Sequence, residues 1–156
     1  MSSSSRRMTA AELCTRTVIV TSPDAPLAQA ARVMREQHVG CLVAVRETED
    51  GRQVVGVLTD RDIVTTVMAR EADASKLRVE DVMMSDVVCV GEDDSLHDVL
   101  ATMRRHRVRR VPVVGPQQRL VGMIAADDVL RALTGELLTL TEVLGEQIKA
   151  ERVLRP

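Results

Sequence analysis

The stretch LAQAARVMREQHVGCLVAV at residues 27–45 occurs a second time, as LHDVLATMRRHRVRRVPVV, at residues 96–114. The two copies align without a gap at an offset of 69 positions, so that Leu27 matches Leu96. In each copy, apolar residues first recur at helical spacing and then give way to a Val-rich run, which predicts a helix followed by a strand. The chain therefore contains an internal repeat that decides its fold.

The similarity extends in both directions from this pair of stretches. QVVGVLTDRDIV at 53–64 lies over RLVGMIAADDVL at 119–130, and TVIV at 17–20 lies over DVVC at 86–89. The second offset is 66, and the difference of three residues falls in the polar segments RETEDGR and GPQQ, where insertions are tolerated. Each unit reads β-α-β-β-α, with two strands joined through a helix and a hairpin after them. Because one unit is too short to cover both faces of its sheet, we expect the two units to pack on each other.

Composition excludes several classes of protein. The chain has 156 residues and a formal net charge of −2, with no Phe, Tyr or Trp. The core must therefore be aliphatic, and the aromatic platform on which single-stranded nucleic acid usually stacks is missing. Cys14, Cys41 and Cys89 are far apart and show neither a disulfide framework nor metal-site spacing. No apolar run reaches membrane-spanning length, so we expect a cytoplasmic protein without a membrane partner.

The order VGCLVAV…GVLTDRD, followed by VRRVPVV…GMIAADD, resembles the tandem cystathionine β-synthase-type (CBS) domain, a pair of which is called a Bateman module. The resemblance covers about residues 8–133. It implies a mixed α/β (α+β) fold in which two repeats pack by pseudo-two-fold symmetry and leave two clefts between their sheets. In many members these clefts hold AMP, ADP, ATP, S-adenosylmethionine or dinucleotides, so an adenosine nucleotide is the implied ligand and no obligatory cofactor is implied.

This comparison divides the chain into five segments. We expect a disordered N-terminus at 1–7, repeat 1 at 8–70, a linker at 71–78, repeat 2 at 79–133 and a C-terminal helical extension at 134–156.

The extension lies outside the family pattern. Its apolar residues Leu137, Leu140 (or Thr141), Leu144 and Ile148 fall on or near one stripe, which predicts a helix that docks on its own domain or on a second subunit. With the habit of the family, this stripe predicts a homodimer in which two modules form a flat disc through their helices.

The motif GVLTDRD places Thr59 and Asp62 three residues apart at the start of a helix. This spacing has two interpretations of about equal weight. Thr59 and Asp62 can form a capping box, or the carboxylate and the hydroxyl can bind a ribose and a phosphate at the helix N-terminus. The family resemblance favours the ligand, because members use this Thr/Ser and Asp for phosphate and ribose.

The second copy departs from this motif. Ala125 stands where Thr59 does, and Asp128 matches Asp62. Arg109 and Arg110 precede Ala125 at a position that, in the family, often faces the ligand's phosphates. The matching residues of repeat 1, which the resemblance places beside the first cleft, are Gly40 and Cys41.

We therefore expect two unlike clefts, with the hydroxyl in the first and the arginines in the second. The nearby Arg104, Arg105 and Arg107 are interpreted as an ordinary basic helix end.

The resemblance also implies which aliphatic residues receive the adenine. The slot beside Asp62 would be lined by Met83, Val88 and Val108. The slot beside Asp128 would be lined by Cys14, Ile19 and Val39.

The leading hypothesis is a regulatory module that binds an adenosine nucleotide and senses the energy or metabolite state for an effector protein. The alternatives are a ligand-free dimerisation module and, with less support, a nucleic-acid binder that uses the arginines of residues 104–110. We expect no enzymatic activity, because no nucleophile–base pair or metal cluster converges in the sequence.

Overall fold

The structure is a computed structural model that describes the backbone of residues 8–154 and the side chains of residues 8–147. The expected disordered segment 1–7 lies outside the described residues. The structure contains five α-helices: α1 (Ala10–Leu13), α2 (Leu27–Gln37), α3 (Asp60–Ile63, continued as a π-helix over Val64–Met68), α4 (Leu96–His106) and α5 (Ala126–Leu154). Short 3-10 helices lie at Ala74–Lys76, Val79–Asp81 and Pro116–Gln118. The strands are β1 (Val20–Thr21), β2 (Cys41–Thr48), β3 (Gly51–Thr59), β4 (Val90–Gly91), β5 (Arg110–Val114) and β6 (Leu120–Ala125).

The strands form two sheets of the same construction. One has the order β1-β2-β3 and the other β4-β5-β6, and in each the first pair is parallel and the second antiparallel. A helix joins the parallel strands and a tight connection joins the antiparallel ones, as expected from the topology rules. The predicted fold of two β-α-β-β-α repeats is confirmed. The first strand of each repeat is shorter than its apolar run, because Val18 and Val87 pack between the sheets instead of joining a ladder.

Each repeat extends a short segment onto the sheet of the other. Thr15 pairs with Met123 on β6, and the equivalent Met84 pairs with Val57 on β3. Glycine is required where these segments cross the strands. A Cβ atom at Gly56 would lie 2.3 Å from the Met83 sulfur.

The same crossing occurs in the second repeat, where a Cβ atom at Gly122 would lie 2.5 Å from the Cys14 sulfur. A Cβ atom at Gly122 would also lie 2.8 Å from the Thr15 carbonyl oxygen, so the crossing segment itself would have to move there, whereas at Gly56 the Met83 side chain would have to move.

A third apolar cluster holds the two sheets against each other. Its buried members come from both repeats: Val43, Val45, Val54 and Val114. At the edge of this cluster Gln53 of repeat 1 pairs with Arg119, the residue that occupies the equivalent position in repeat 2. A residue that meets its equivalent marks the axis of a two-fold arrangement, so the predicted pseudo-two-fold packing is observed.

The second helix of repeat 2 and the C-terminal extension form one continuous helix, α5, of 29 residues. The expected division at residue 134 is therefore not a break in the helix. Val129 in the first turn is buried in the core of repeat 2, whereas Leu137, Leu140 and Leu144 are more than half exposed. The extension thus does not cover its apolar side chains on its own domain within the described residues, and the side chain of Ile148 lies outside them.

Candidate functional site

A cavity of about 510 Å³ lies between the two repeats. Repeat 1 contributes the end of the loop before β2 and the start of α3, and repeat 2 contributes the loop before β5. The polar and small residues along its wall are Gly40, Cys41, Thr59, Asp60, Arg61, Asp62, Arg107, Arg109 and Arg110. A volume of this size falls in the range of small-molecule sites.

Thr59 and Asp62 form the capping box that their spacing allows. The Asp62 Oδ2 atom accepts hydrogen bonds from the Thr59 backbone N–H at 2.9 Å and from the Thr59 hydroxyl at 2.6 Å. In return, the Thr59 Oγ1 atom accepts a bond from the Asp62 backbone N–H at 3.1 Å. These contacts use one carboxylate oxygen. Within the described residues the other, Oδ1, has no hydrogen-bond partner, so capping and ligand binding are compatible at Asp62.

The residues next to Thr59 on the neighbouring strand and its preceding loop, Cys41 and Gly40, are small and uncharged, as the sequence indicated. Cys41 pairs in register with Thr59, and the Gly40 carbonyl accepts the Asp60 backbone N–H at 3.0 Å. A Cβ atom at Gly40 would lie 2.8 Å from Asp60 Oδ2, so a larger residue would push that carboxylate away. Burial raises the pKa of the Cys41 thiol, and the Asp62 and Asp60 carboxylates add to this effect while Arg110 opposes it.

Arg109 and Arg110 lie beside Ala125, where the sequence analysis placed them. The backbone of Arg110 pairs in register with Ala125, and the Arg109 carbonyl accepts the Ala126 N–H at 2.8 Å. Both arginines nevertheless line the same cavity as Thr59 and Asp62. The hydroxyl and the arginines therefore share this cavity, because the pseudo-two-fold packing brings the loop of repeat 2 to the motif of repeat 1. The composition of a second cleft stays a prediction.

Arg107 also departs from its expected role. It caps α4 in the left-handed conformation, with φ 55° and ψ 38°, and lines the cavity. Arg104 and Arg105 lie in the last turn of α4, as expected for a basic helix end. Within the part of the chain that the structure describes, the side chains of Arg107, Arg109 and Arg110 form no ion pair or hydrogen bond.

The rest of the wall is apolar. Of the three residues predicted for the slot beside Asp62, Val88 and Val108 line the cavity. Met83 does not, because its side chain lies over Gly56 and packs against the core of repeat 1. Met84 lines the cavity in place of Met83. The apolar lining comprises Val57, Met84, Val87, Val88, Val108, Pro112 and Met123.

The residues predicted for a second cleft lie outside this cavity. Asp128 lies in the first turn of α5, where its carboxylate accepts a hydrogen bond from Arg131 at 3.2 Å. Cys14 packs against the core of repeat 2, whereas Ile19 and Val39 pack against the core of repeat 1. None of these four residues, nor Ala125, lines the cavity described above.

Sequence reasoning missed eight of the cavity residues: Val57, Asp60, Arg61, Met84, Val87, Arg107, Pro112 and Met123. Asp60 and Arg61 lie inside the TDRD motif, so the motif itself was a signal for them. Met84 follows the predicted Met83, and Arg107 precedes the predicted Val108. In each pair, only the path of the backbone decides which of the neighbours faces the cavity.

Two copies of one β-α-β-β-α unit that pair around a pseudo-two-fold axis and enclose a cavity define a two-repeat module. A family model described as the CBS domain matches residues 10–69 and again residues 79–135. The chain belongs to the CBS domain family, which confirms the resemblance.

Known proteins agree with this assignment. An uncharacterised 17.7 kDa protein of Acidianus ambivalens is 31% identical over 145 residues, which cover 93% of this chain and 85% of that protein. A crystal structure of Hypoxic Response Protein I with two coordinated zinc ions is 30% identical, covers 80% of this chain and 98% of that one, and has a TM-score of 0.72. The CBS domain pair of protein MJ0100, crystallised with 5′-methylthioadenosine and S-adenosyl-L-methionine, is 24% identical with a TM-score of 0.69 over 83% of this chain and 98% of that one, a likeness that concerns the fold.

No group of three or more His, Cys, Asp or Glu side chains among the described residues is placed to hold a metal ion. No helix among them combines the length and the apolar character needed to cross a membrane.

Proposed function

We propose that this protein is a regulatory module whose cavity binds an adenosine nucleotide, with the phosphates at the arginines of repeat 2 and the ribose at Asp62 of repeat 1. The observation that supports this most is the presence of the Asp62 carboxylate in one cavity with three arginines that form no ion pair among the described residues.

The arginines define the phosphate end. Guanidinium groups bind phosphate through two parallel hydrogen bonds, and Arg107, Arg109 and Arg110 have no acidic partner among the described residues that would compete. Three such groups favour a ligand with several phosphates, so we propose that ATP and ADP bind more tightly than AMP. Because the arginines line a cavity rather than an open ridge, their placement favours a small phosphate ligand over nucleic acid.

The free carboxylate oxygen of Asp62 defines the ribose end. Thr59 holds Oδ2 by two hydrogen bonds, which fixes the carboxylate and leaves Oδ1 as an acceptor for ribose hydroxyls. Between the two ends, the apolar side chains of Val57, Val88 and Val108 offer aliphatic contact to the base. Aromatic stacking is unavailable to this chain, since it contains no Phe, Tyr or Trp.

Titration calorimetry with ATP, ADP and AMP tests the proposal, with GTP as the control for the base. We expect ATP to bind most tightly and Arg109→Ala to weaken ATP binding by about 1.5–3 kcal/mol, the scale of hydrogen bonds to a charged group. Arg104→Ala is the matched control, because it removes an arginine five positions away that lies on α4 outside the cavity.

Each contrary result has a definite meaning. No heat with any nucleotide would remove the binding function and leave the dimerisation module as the better hypothesis. Equal losses in the Arg109 and Arg104 variants would show that binding depends on general positive charge and not on this cavity. Binding that survives Arg109→Ala unchanged would place the phosphates elsewhere.

A further inference from the structure

The charged side chains of the cavity differ in sign between its two walls. The wall from repeat 2 has three cations: Arg107, Arg109 and Arg110. The wall from repeat 1 has two carboxylates and one guanidinium: Asp60, Asp62 and Arg61. The repeat 2 wall is therefore strongly cationic, whereas the repeat 1 wall has an excess of negative charge.

Asp60 is the acid of the repeat 1 wall that takes no part in the capping box. Its Oδ1 atom accepts a hydrogen bond from the Arg61 backbone N–H at 2.7 Å, and its own backbone N–H donates to the Gly40 carbonyl at 3.0 Å. Its Oδ2 atom lies against Gly40, where a Cβ atom would be only 2.8 Å away. The carboxylate is thus held in the cavity wall, and among the described residues no cation forms an ion pair with it.

The two carboxylates act on the same part of the cavity. Burial is the main cause of the raised pKa of the Cys41 thiol, Arg110 opposes it, and Asp62 and Asp60 add to it. Both acids are therefore close enough to Cys41 for their charges to be felt there. Asp60 thus contributes negative charge to the space beside Asp62, which is the proposed ribose end.

This division of charge restricts where a bound nucleotide can carry phosphate. With the 5′-phosphates at the arginines and the ribose at Asp62, a phosphate on the 2′ or 3′ oxygen would face two carboxylates. It would also replace the hydroxyl hydrogen that Asp62 Oδ1 is proposed to accept. Arg61 offsets only one of the two negative charges. Repulsion of this kind is a common source of specificity in binding sites.

We propose that Asp60 is a specificity-determining residue which, with Asp62, excludes nucleotides that are phosphorylated on the 2′ or 3′ oxygen of the ribose. The cavity then accepts nucleoside 5′-phosphates with free ribose hydroxyls and rejects nucleoside bisphosphates and 3′–5′-linked dinucleotides. This inference rests on the proposed function, because it takes the ribose to lie at Asp62.

ADP and adenosine 3′,5′-bisphosphate form a matched pair of probes for this selectivity. They share the base, the sugar and the number of phosphate groups, and differ in where the second phosphate is attached. Titration calorimetry of the full chain with each compound, at one ionic strength, gives the ratio of their dissociation constants. We expect the parent protein to bind ADP more tightly by about tenfold or more, since like charges brought together oppose binding.

Asp60→Asn tests the residue itself. It removes the charge and keeps the oxygen that accepts the Arg61 N–H, so thermal unfolding should remain at the parent temperature. We expect the ratio to fall about threefold or more, mainly through tighter binding of the bisphosphate, because one of the two repelling charges is gone.

Asp94→Asn is the matched control. The Asp94 carboxylate also lies beside a glycine and accepts the Gly91 backbone N–H at 2.8 Å, but it is outside the cavity. This variant has the same change in net charge and should keep the parent ratio.

The contrary outcomes are distinct. Equal binding of the two compounds by the parent protein would overturn this inference and leave the proposed function standing, whereas failure to bind either compound would remove both. An unchanged ratio in Asp60→Asn would show that Asp60 does not determine the selectivity. Equal shifts in the Asp60 and Asp94 variants would assign the effect to net charge and not to this wall.

Discussion

At the scale of single residues, Asp62 has an observed structural role and a proposed binding role in one side chain. The capping box occupies Oδ2 and leaves Oδ1 without a hydrogen-bond partner among the described residues. Sequence spacing predicted both interpretations but could not choose between them, because each needs the same two residue types three positions apart. The structure shows the capping box, and the binding role of Asp62 stays a prediction.

Replacing Asp62 separates the two roles. We expect Asp62→Ala to lower the free energy of unfolding by about 1 kcal/mol, the usual cost of losing a helix cap. We also expect it to weaken nucleotide binding by about 1.5–3 kcal/mol, because a charged acceptor is removed. Thermal unfolding and titration calorimetry of the same variant measure the two effects.

Asp98 supplies the control for this experiment. It forms the same capping box with Ser95 at the start of α4, outside the cavity. Asp98→Ala should therefore cost stability and leave nucleotide affinity at the parent value. If both variants lose affinity alike, Asp62 acts through the fold and not through contact with the ligand.

At the scale of helices and strands, the periodicity of the sequence predicted most of what is observed. The starts of α2 and α4 fall at the predicted Leu27 and Leu96, and the Val-rich runs form the hairpins. The extent of α5 was not predicted, since Gly135 suggested a weak point and the family pattern ended nearby. A glycine in open space lowers helix stability without breaking the helix, which explains the difference.

Two glycines provide a second prediction: replacement by alanine should change the free energy of unfolding in opposite directions at Gly56 and Gly135. Gly56→Ala should destabilise the protein by about 1–3 kcal/mol, because the new methyl group collides with the Met83 sulfur at the crossing. Gly135→Ala should stabilise α5 by about 1 kcal/mol, because its methyl group enters open space. Urea unfolding measures both, and a destabilised Gly135→Ala variant would contradict the exposed position of that residue.

At the scale of the whole molecule, the pseudo-two-fold packing produces the cavity as well as the core. This is the part that the sequence could not supply. The repeat was visible from residues 27–45 and 96–114, but which loop of one copy faces which motif of the other depends on the packing of the sheets. The presence of Arg109 in the same cavity as Thr59 follows from that packing, and so does the exchange of segments at Thr15 and Met84.

The packing also predicts that the two repeats unfold as one unit. Val43 belongs to repeat 1, is 0% exposed and packs in the cluster between the sheets with Val114 of repeat 2. We expect Val43→Ala to lower the free energy of unfolding by about 2 kcal/mol, since it removes buried methyl groups and leaves a cavity. Because each sheet also carries a segment of the other repeat, the loss should be shared by both. In native-state hydrogen exchange, the free energy of opening should therefore fall by the same amount for the most protected amides of β2 and of β5. If only the amides of β2 respond, the repeats are independent units and the cavity between them is not held by a common core.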